Sequence, residues 1–293
     1  MTRRGKEPAS AAVAPDDAVA GTRAQRGIQS VEVAGRLLRA LADARTPLAP
    51  TDLAASGELP SSQAHAYLVS LTRLGLIKRD ALSGRYEPGP LALRLGLLNL
   101  AQQDALSEAV PHAAALAQKF GCSVALCIAG PQGPTIVRYE HASLPLHVNL
   151  HVGTVMSLTR TATGRVFCAF LAPEALRAMW VNQAAQPAYA GLESGTHVAA
   201  PEPDADAVFT ATLDTIRARG FELAVDAPSP GVSSVCVPVL GAARELRLTL
   251  TAIGASGTLD VRAAGAVVEA LRGAAEAIAA AAIPPTSSPT CPE

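Results

Sequence analysis

Residues 29–86 constrain this chain more tightly than any other stretch. Val31, Ala34, Leu38 and Leu41 recur at helical spacing, and so do Ala64, Leu68 and Leu71, so two amphipathic helices are expected, each with one apolar stripe to bury. Between them Pro47 interrupts the pattern, residues 51–55 form a short helical run, and Gly57 ends it. After the last helix, Leu76-Ile77-Lys78-Arg79, the turn Leu82-Ser83-Gly84 and Arg85-Tyr86 read as a β-hairpin with basic flanks. Three short helices followed by a basic hairpin form the winged helix-turn-helix layout. In that layout the last helix enters the major groove of duplex DNA and the wing touches its backbone.

The remaining sequence sets bounds on this reading. At 293 residues and 49% hydrophobic composition, the chain is long and apolar enough for two cores. A net charge of −1 excludes a globally basic nucleic-acid binder, so any DNA-facing surface has to be local. Between Gly21 and Pro90 nine basic residues outnumber six acidic ones, which places +3 there and leaves −4 elsewhere. The five cysteines (Cys122, Cys127, Cys168, Cys236 and Cys291) are odd in number and form no CxxC pair, so buried free thiols in a reducing cytoplasm are expected. Arg3, Arg4 and Lys6 are followed by small and polar residues with Asp16 and Asp17, which does not fit a signal peptide. The apolar stretch at residues 263–283 carries Glu269, Arg272 and Glu276, and reads as an amphipathic terminal helix instead of a membrane span.

The expected organisation is α+β with two domains. Residues 1–25 have too few large apolar groups to order and read as a disordered arm. The winged helix occupies 26–88. A leucine-dense helix in 89–104, too apolar to stand alone in water, reads as a linker that packs against a second copy. Residues 105–283 form the second domain, and 284–293 a Pro-rich tail. Within that domain a helix over 105–120 precedes an antiparallel meander of strands at 123–129, 135–140 and 146–152. Helices at 163–171 and 173–180, a loop over 182–203 and a helix at 205–219 follow. Strands at 221–225, 234–240 and 246–253 and a helix from about Leu259 complete an arrangement of helices around one mainly antiparallel sheet.

Several motifs fall in a characteristic order. They are Gln29-Ser30-Val31-Glu32, the run from Leu59-Pro60 to His65, Gly84-Arg85-Tyr86 with Gly89-Pro90, Thr161-Ala162-Thr163-Gly164-Arg165, Arg217-Ala218-Arg219-Gly220-Phe221 and Pro230-Gly231-Val232. In order and spacing the set resembles the IclR family of bacterial transcription regulators, over residues 26–281. The resemblance implies an N-terminal winged helix and a C-terminal effector domain of GAF-like fold. It also implies dimers or dimers of dimers, and control of operons for small carboxylic or aromatic acids.

The recognition helix departs from the family pattern. Where the family usually reads Leu-Pro-Lys-Ser-Thr-x-His-Arg, this chain has Leu59-Pro60-Ser61-Ser62-Gln63-Ala64-His65-Ala66, two cations fewer. Their loss should flatten the salt dependence of DNA binding by roughly one unit each. Base readout is expected from Gln63, which can bond bidentately to adenine, and from His65. Ser61 and Ser62 are expected to cap the helix or meet phosphate. Backbone anchoring then falls to Lys78, Arg79 and Arg85 on the wing, with Arg23 or Arg26 on an arm suited to the minor groove. Double-stranded DNA, a small organic acid and a second copy of the chain are the expected partners. A sensor that binds DNA weakly and acts through a partner protein is the alternative, favoured by Ser61 and Ala66.

For the effector domain, the turn at residues 158–164 joins strand to helix, and a helix start offers N–H groups to a carboxylate. The resemblance points residue by residue to Ala162 and Thr163, then Asp226, Val232, Ser234, Cys236, Thr251 and Ile253, with Arg160 available to pair with an anionic effector. His147 and His151, with Cys236, lack a third ligand at diagnostic spacing, so neither metal nor cofactor is expected. Gly130-Pro131-Gln132-Gly133-Pro134 has no following Gly-Lys-Ser/Thr, and Gly231-Val232-Ser233-Ser234-Val235 is not a nucleophile elbow. No enzymatic activity is expected.

Overall fold

A computed structural model describes residues 27–44, 46–142, 148–185 and 207–282. The expected arm and tail, Arg23, Arg26, His147, Cys291 and most of the 182–203 loop lie outside the described residues. The chain divides into two compact units, the first ending at Leu97.

In the first unit α1 (Gln29–Ala44), α2 (Pro50–Ser56) and α3 (Ser61–Arg73) surround a core of Leu37, Leu41, Leu53, Leu68 and Leu71, closed by Ile77 and Tyr86. Helix α1 buries Val33, Leu37 and Leu41, whereas Val31, expected in the stripe, is 65% exposed. Val31 lies roughly 120° around the axis from the centre of the buried stripe, a rotation that spacing alone does not choose. Pro50 opens α2 at a position where a missing N–H is harmless. Strands β1 (Ile77–Arg79) and β2 (Tyr86–Pro88) form the antiparallel wing, and Tyr86 exchanges backbone hydrogen bonds with Leu48. Helix α4 (Pro90–Ala101) follows and buries none of its residues, with Leu93, Leu95, Leu97 and Leu98 all more than half exposed.

The second unit is built on one sheet of β3 (Ser123–Gly130), β4 (Gly133–Glu140), β5 (Glu222–Ala224), β6 (Val232–Leu240) and β7 (Leu246–Ala255). Their order is β4-β3-β7-β6-β5, and every pairing is antiparallel. Alternation sends Val235, Val237, Val239, Leu248 and Leu250 to one face, packed by α5 (Asp104–Phe120) and α9 (Ala266–Ala281). Ala125, Cys127, Cys236 and Ile253 point to the other, covered by α6 (Ala162–Phe170), α7 (Pro173–Ala184) and α8 (Ala207–Arg219). Helix α5 stops at Gly121, whose φ of 64° suits a residue without a Cβ.

Three expectations are corrected. No strand forms over 148–152; the chain turns at Gly153 and meets the edge of β4 only around Thr154, through Ile136 N–H to Thr154 O and Met156 N–H to Pro134 O. Pro134 has no N–H to offer, which weakens longer pairing along that edge. Residues 182–184, expected as loop, complete α7. The last helix starts at Ala266, not near Leu259, because the Asp260 carboxylate gathers the Arg262 and Ala266 N–H groups into a turned entry. Among the described residues no helix is long and apolar enough to cross a membrane.

Candidate DNA-facing and ligand-facing sites

Helix α3 is held by Ala64, Leu68 and Leu71, and this leaves Ser61, Ser62, Gln63 and His65 exposed on its first turns. The cap is Pro60, with no side-chain hydrogen bond, so neither serine caps the helix as expected. Because the helix already starts at Ser61, both hydroxyls sit past the position from which a side chain reaches back to N2 or N3.

The wing cations are engaged within the first unit. Lys78 Nζ lies 2.9 Å from Glu87 Oε1, a contact that raises the lysine pKa, while Arg79 Nε donates to Gly84 O and its guanidinium sits 5.9 Å over the Tyr86 ring. Arg85 Nη1 donates to Pro47 O at 3.0 Å. At the tip Asp80 accepts from the Leu82 and Ser83 N–H groups and the Ser83 hydroxyl, and the bonds from Ser83 hold its carboxyl below the usual range. Leu82 stands at the apex, 98% exposed.

In the second unit a network of hydrogen bonds builds the entry to α6. Thr161 is the N-cap; its Oγ1 accepts the Gly164 N–H at 2.9 Å and donates to Ser157 O at 2.7 Å. A side chain at position 164 would overlap the Ser157 carbonyl and the Leu158 backbone, so only glycine fits. Buried Gln183 accepts the Leu158 N–H and donates to Gln132 O and Met156 O, tying this turn to the β3–β4 hairpin. Arg165 pairs with Glu222 at 2.7 Å and donates to Thr159 O, while Arg219 takes the other Glu222 oxygen. Two of the motifs that carry the family resemblance therefore meet on one buried carboxylate.

Beneath this helix start lies a row of uncharged polar groups on the inner strands. Thr163 Oγ1 and Thr251 Oγ1 are 2.8 Å apart, both buried. Cys236 faces Thr251 across the β6–β7 pair, Ser234 faces Ile253, and Cys127 on β3 faces Thr249. Burial pushes the Cys236 thiol up to about 11 and the Cys127 thiol higher still, so both remain neutral. Thr249 is fully buried, and its hydroxyl lies against the Cys127 and Cys236 thiols.

Of the expected effector residues, Thr163, Cys236 and Thr251 lie together here, with Ala162 buried beside them and Ser234 and Ile253 farther along the same face. Val232 is half-buried at the start of β6. Asp226 is exposed at a φ of 51°, and its carboxylate accepts the Gly231 N–H, which commits it to the turn before β6 and leaves it outside the row. Arg160 is exposed at the approach to α6. Sequence reasoning missed Thr249, Cys127, Arg165 and Gln183. A step of two back from Thr251 along its strand reaches Thr249, so that one signal was present. Among the described residues no three His, Cys, Asp or Glu side chains group to hold a metal.

A winged helix joined to a sheet domain with a sheltered polar row defines a two-domain transcriptional regulator. Residues 98–280 match the model of the bacterial transcriptional regulator IclR C-terminal domain, and residues 30–81 match the IclR helix-turn-helix domain. The chain belongs to the IclR family. It is 30% identical over 235 residues to the glycerol operon regulatory protein of Streptomyces coelicolor, covering 80% of this chain and 87% of that one. An IclR transcriptional regulator from Alicyclobacillus acidocaldarius has the same fold, with a TM-score of 0.67 at 20% identity over 88% of this chain and 100% of that one. An IclR homologue from Microbacterium hydrocarbonoxydans, crystallised with 4-hydroxybenzoate, gives 0.67 at 18% identity over 86% and 98%.

Proposed function

We propose that this regulator reads operator DNA with Gln63 and His65 and answers to a small organic acid seated on the polar row beneath α6, as a dimer or a dimer of dimers formed through α4. The observation that carries the effector reading is the row itself, in which Thr163, Thr249, Thr251 and Cys236 bring uncharged polar groups together, all buried, at the start of α6. A carboxylate suits the amide groups of the α6 first turn, and neutral hydroxyls and thiols suit the rest of a small molecule. Crystallisation of the Microbacterium homologue with 4-hydroxybenzoate supports an acid of that size. For DNA, the support is that α3 turns a polar first turn outward from a packed stripe. An effector of this kind acts by binding one arrangement of the two DNA-reading heads more tightly than the other.

A second reading, a sensor that works through a partner protein, is favoured by the absence of cations at Ser61 and Ala66 and by the internal engagement of Lys78, Arg79 and Arg85. Fluorescence anisotropy with DNA from upstream of its own gene, against a scrambled duplex at two salt concentrations, separates the two. Preferential binding that weakens by about 1–3 kcal/mol in Gln63→Ala, at the matched base alone, is the expected result. Lys78→Ala should weaken binding to all sequences alike. Equal weak binding to both duplexes, and to selected genomic fragments, would favour the partner-protein reading.

A further inference from the structure

Helices α6, α7 and α8, with the turn between the first two, enclose a cavity of about 170 Å3 to which no strand contributes. Its lining is mixed: Cys168, Leu176, Trp180 and Leu213 are apolar and buried, and Thr210 adds a hydroxyl beside them. Two cations stand at its rim. Arg217 is already engaged, donating to Ala169 O and pairing with Asp214, but Arg177 is exposed and has no carboxylate within ion-pair distance among the described residues. An apolar cavity of about 150 Å3 accepts a single benzene molecule, so this one has room for one six-membered ring or a short alkyl chain and no more. The buried apolar part of this lining favours an apolar body, and the Arg177 guanidinium, unpaired among the described residues, favours an anionic end.

The geometry points to a second small-molecule site here, for a monocarboxylate with one ring or a short chain, its apolar body against Trp180 and Leu213 and its carboxylate on Arg177. This site is separate from the polar row and does not depend on the effector reading of that row. The two share α6: Thr163 belongs to the row, and Cys168, little more than a turn further on, belongs to the cavity. Occupancy of one therefore bears on the helix that shapes the other, which is the physical requirement for coupling between distinct sites.

Trp180 is the sole tryptophan of the 293 residues, so its emission reports this cavity without interference. The full-length protein would be titrated with sodium benzoate and, separately, with benzamide, which has nearly the same shape but no charge. A saturable change in Trp180 emission is expected with benzoate, with benzamide about tenfold or more weaker. Arg177→Gln should weaken benzoate binding by a similar factor, and Arg177→Lys should regain most of it. Absence of a saturable change up to about 10 mM benzoate overturns the site. So does a change of undiminished affinity in Arg177→Gln, since the carboxylate would then be held elsewhere, as on the polar row.

Discussion

Gly164 shows how much a single residue without a side chain can hold together. The backbone of Ser157 and Leu158 rests directly on it, and neither segment is free to yield, because Thr161 bonds to Ser157 O and Gln183 to Leu158 N–H. Gly164→Ala is therefore expected to destabilise the second domain by about 1–3 kcal/mol, read as a lowered urea midpoint with an unchanged slope. At the same scale the legibility of the site was uneven. Thr163, Cys236 and Thr251 were visible as candidates, but the pairing of Arg165 with Glu222 was not. Those two stand 57 positions apart, and no local pattern signals which of several arginines a distant glutamate will meet.

Elements announced themselves best where periodicity was long and termini were marked. Helices α5 and α8 fall within two residues of their expected limits, with glycine closing both. Errors came where side-chain hydrogen bonds overrode local preference: Gln183 extends α7 into an alanine-rich stretch that read as loop, and Asp260 delays α9 by seven residues. The Asp260 entry carries a pH dependence. Its carboxyl is held at about 2, foremost by the Arg262 guanidinium, against an ordinary value near 3.8 in the unfolded chain. A depressed folded value means that this contribution is complete above roughly pH 4 and disappears as the pH falls through about 2. The difference in urea midpoint between the natural protein and Asp260→Asn should accordingly be largest near neutrality and shrink toward about pH 2. A difference independent of pH would show that the charge is not what secures the turn.

For the whole molecule, α4 sets the first expectation. Four leucines more than half exposed on one short helix make an apolar surface that an isolated chain would leave in water. Light scattering at micromolar concentration should report a dimer or larger species, and Leu93→Ser combined with Leu97→Ser, one turn apart, should shift it toward monomer. A natural protein that is monomeric under those conditions would remove α4 as the dimer contact. The inner sheet of the second domain has a different consequence. Residues that hold the fold and residues that face the polar row alternate along the same two strands, Val235, Val237, Leu248 and Leu250 against Ser234, Cys236, Thr249 and Thr251. On the proposed effector reading, chemical preference can be rewritten at every second position while the intervening residues keep the scaffold. Over evolutionary time, or in a laboratory library confined to those four sites, one architecture can diversify into sensors for many compounds without relearning how to fold.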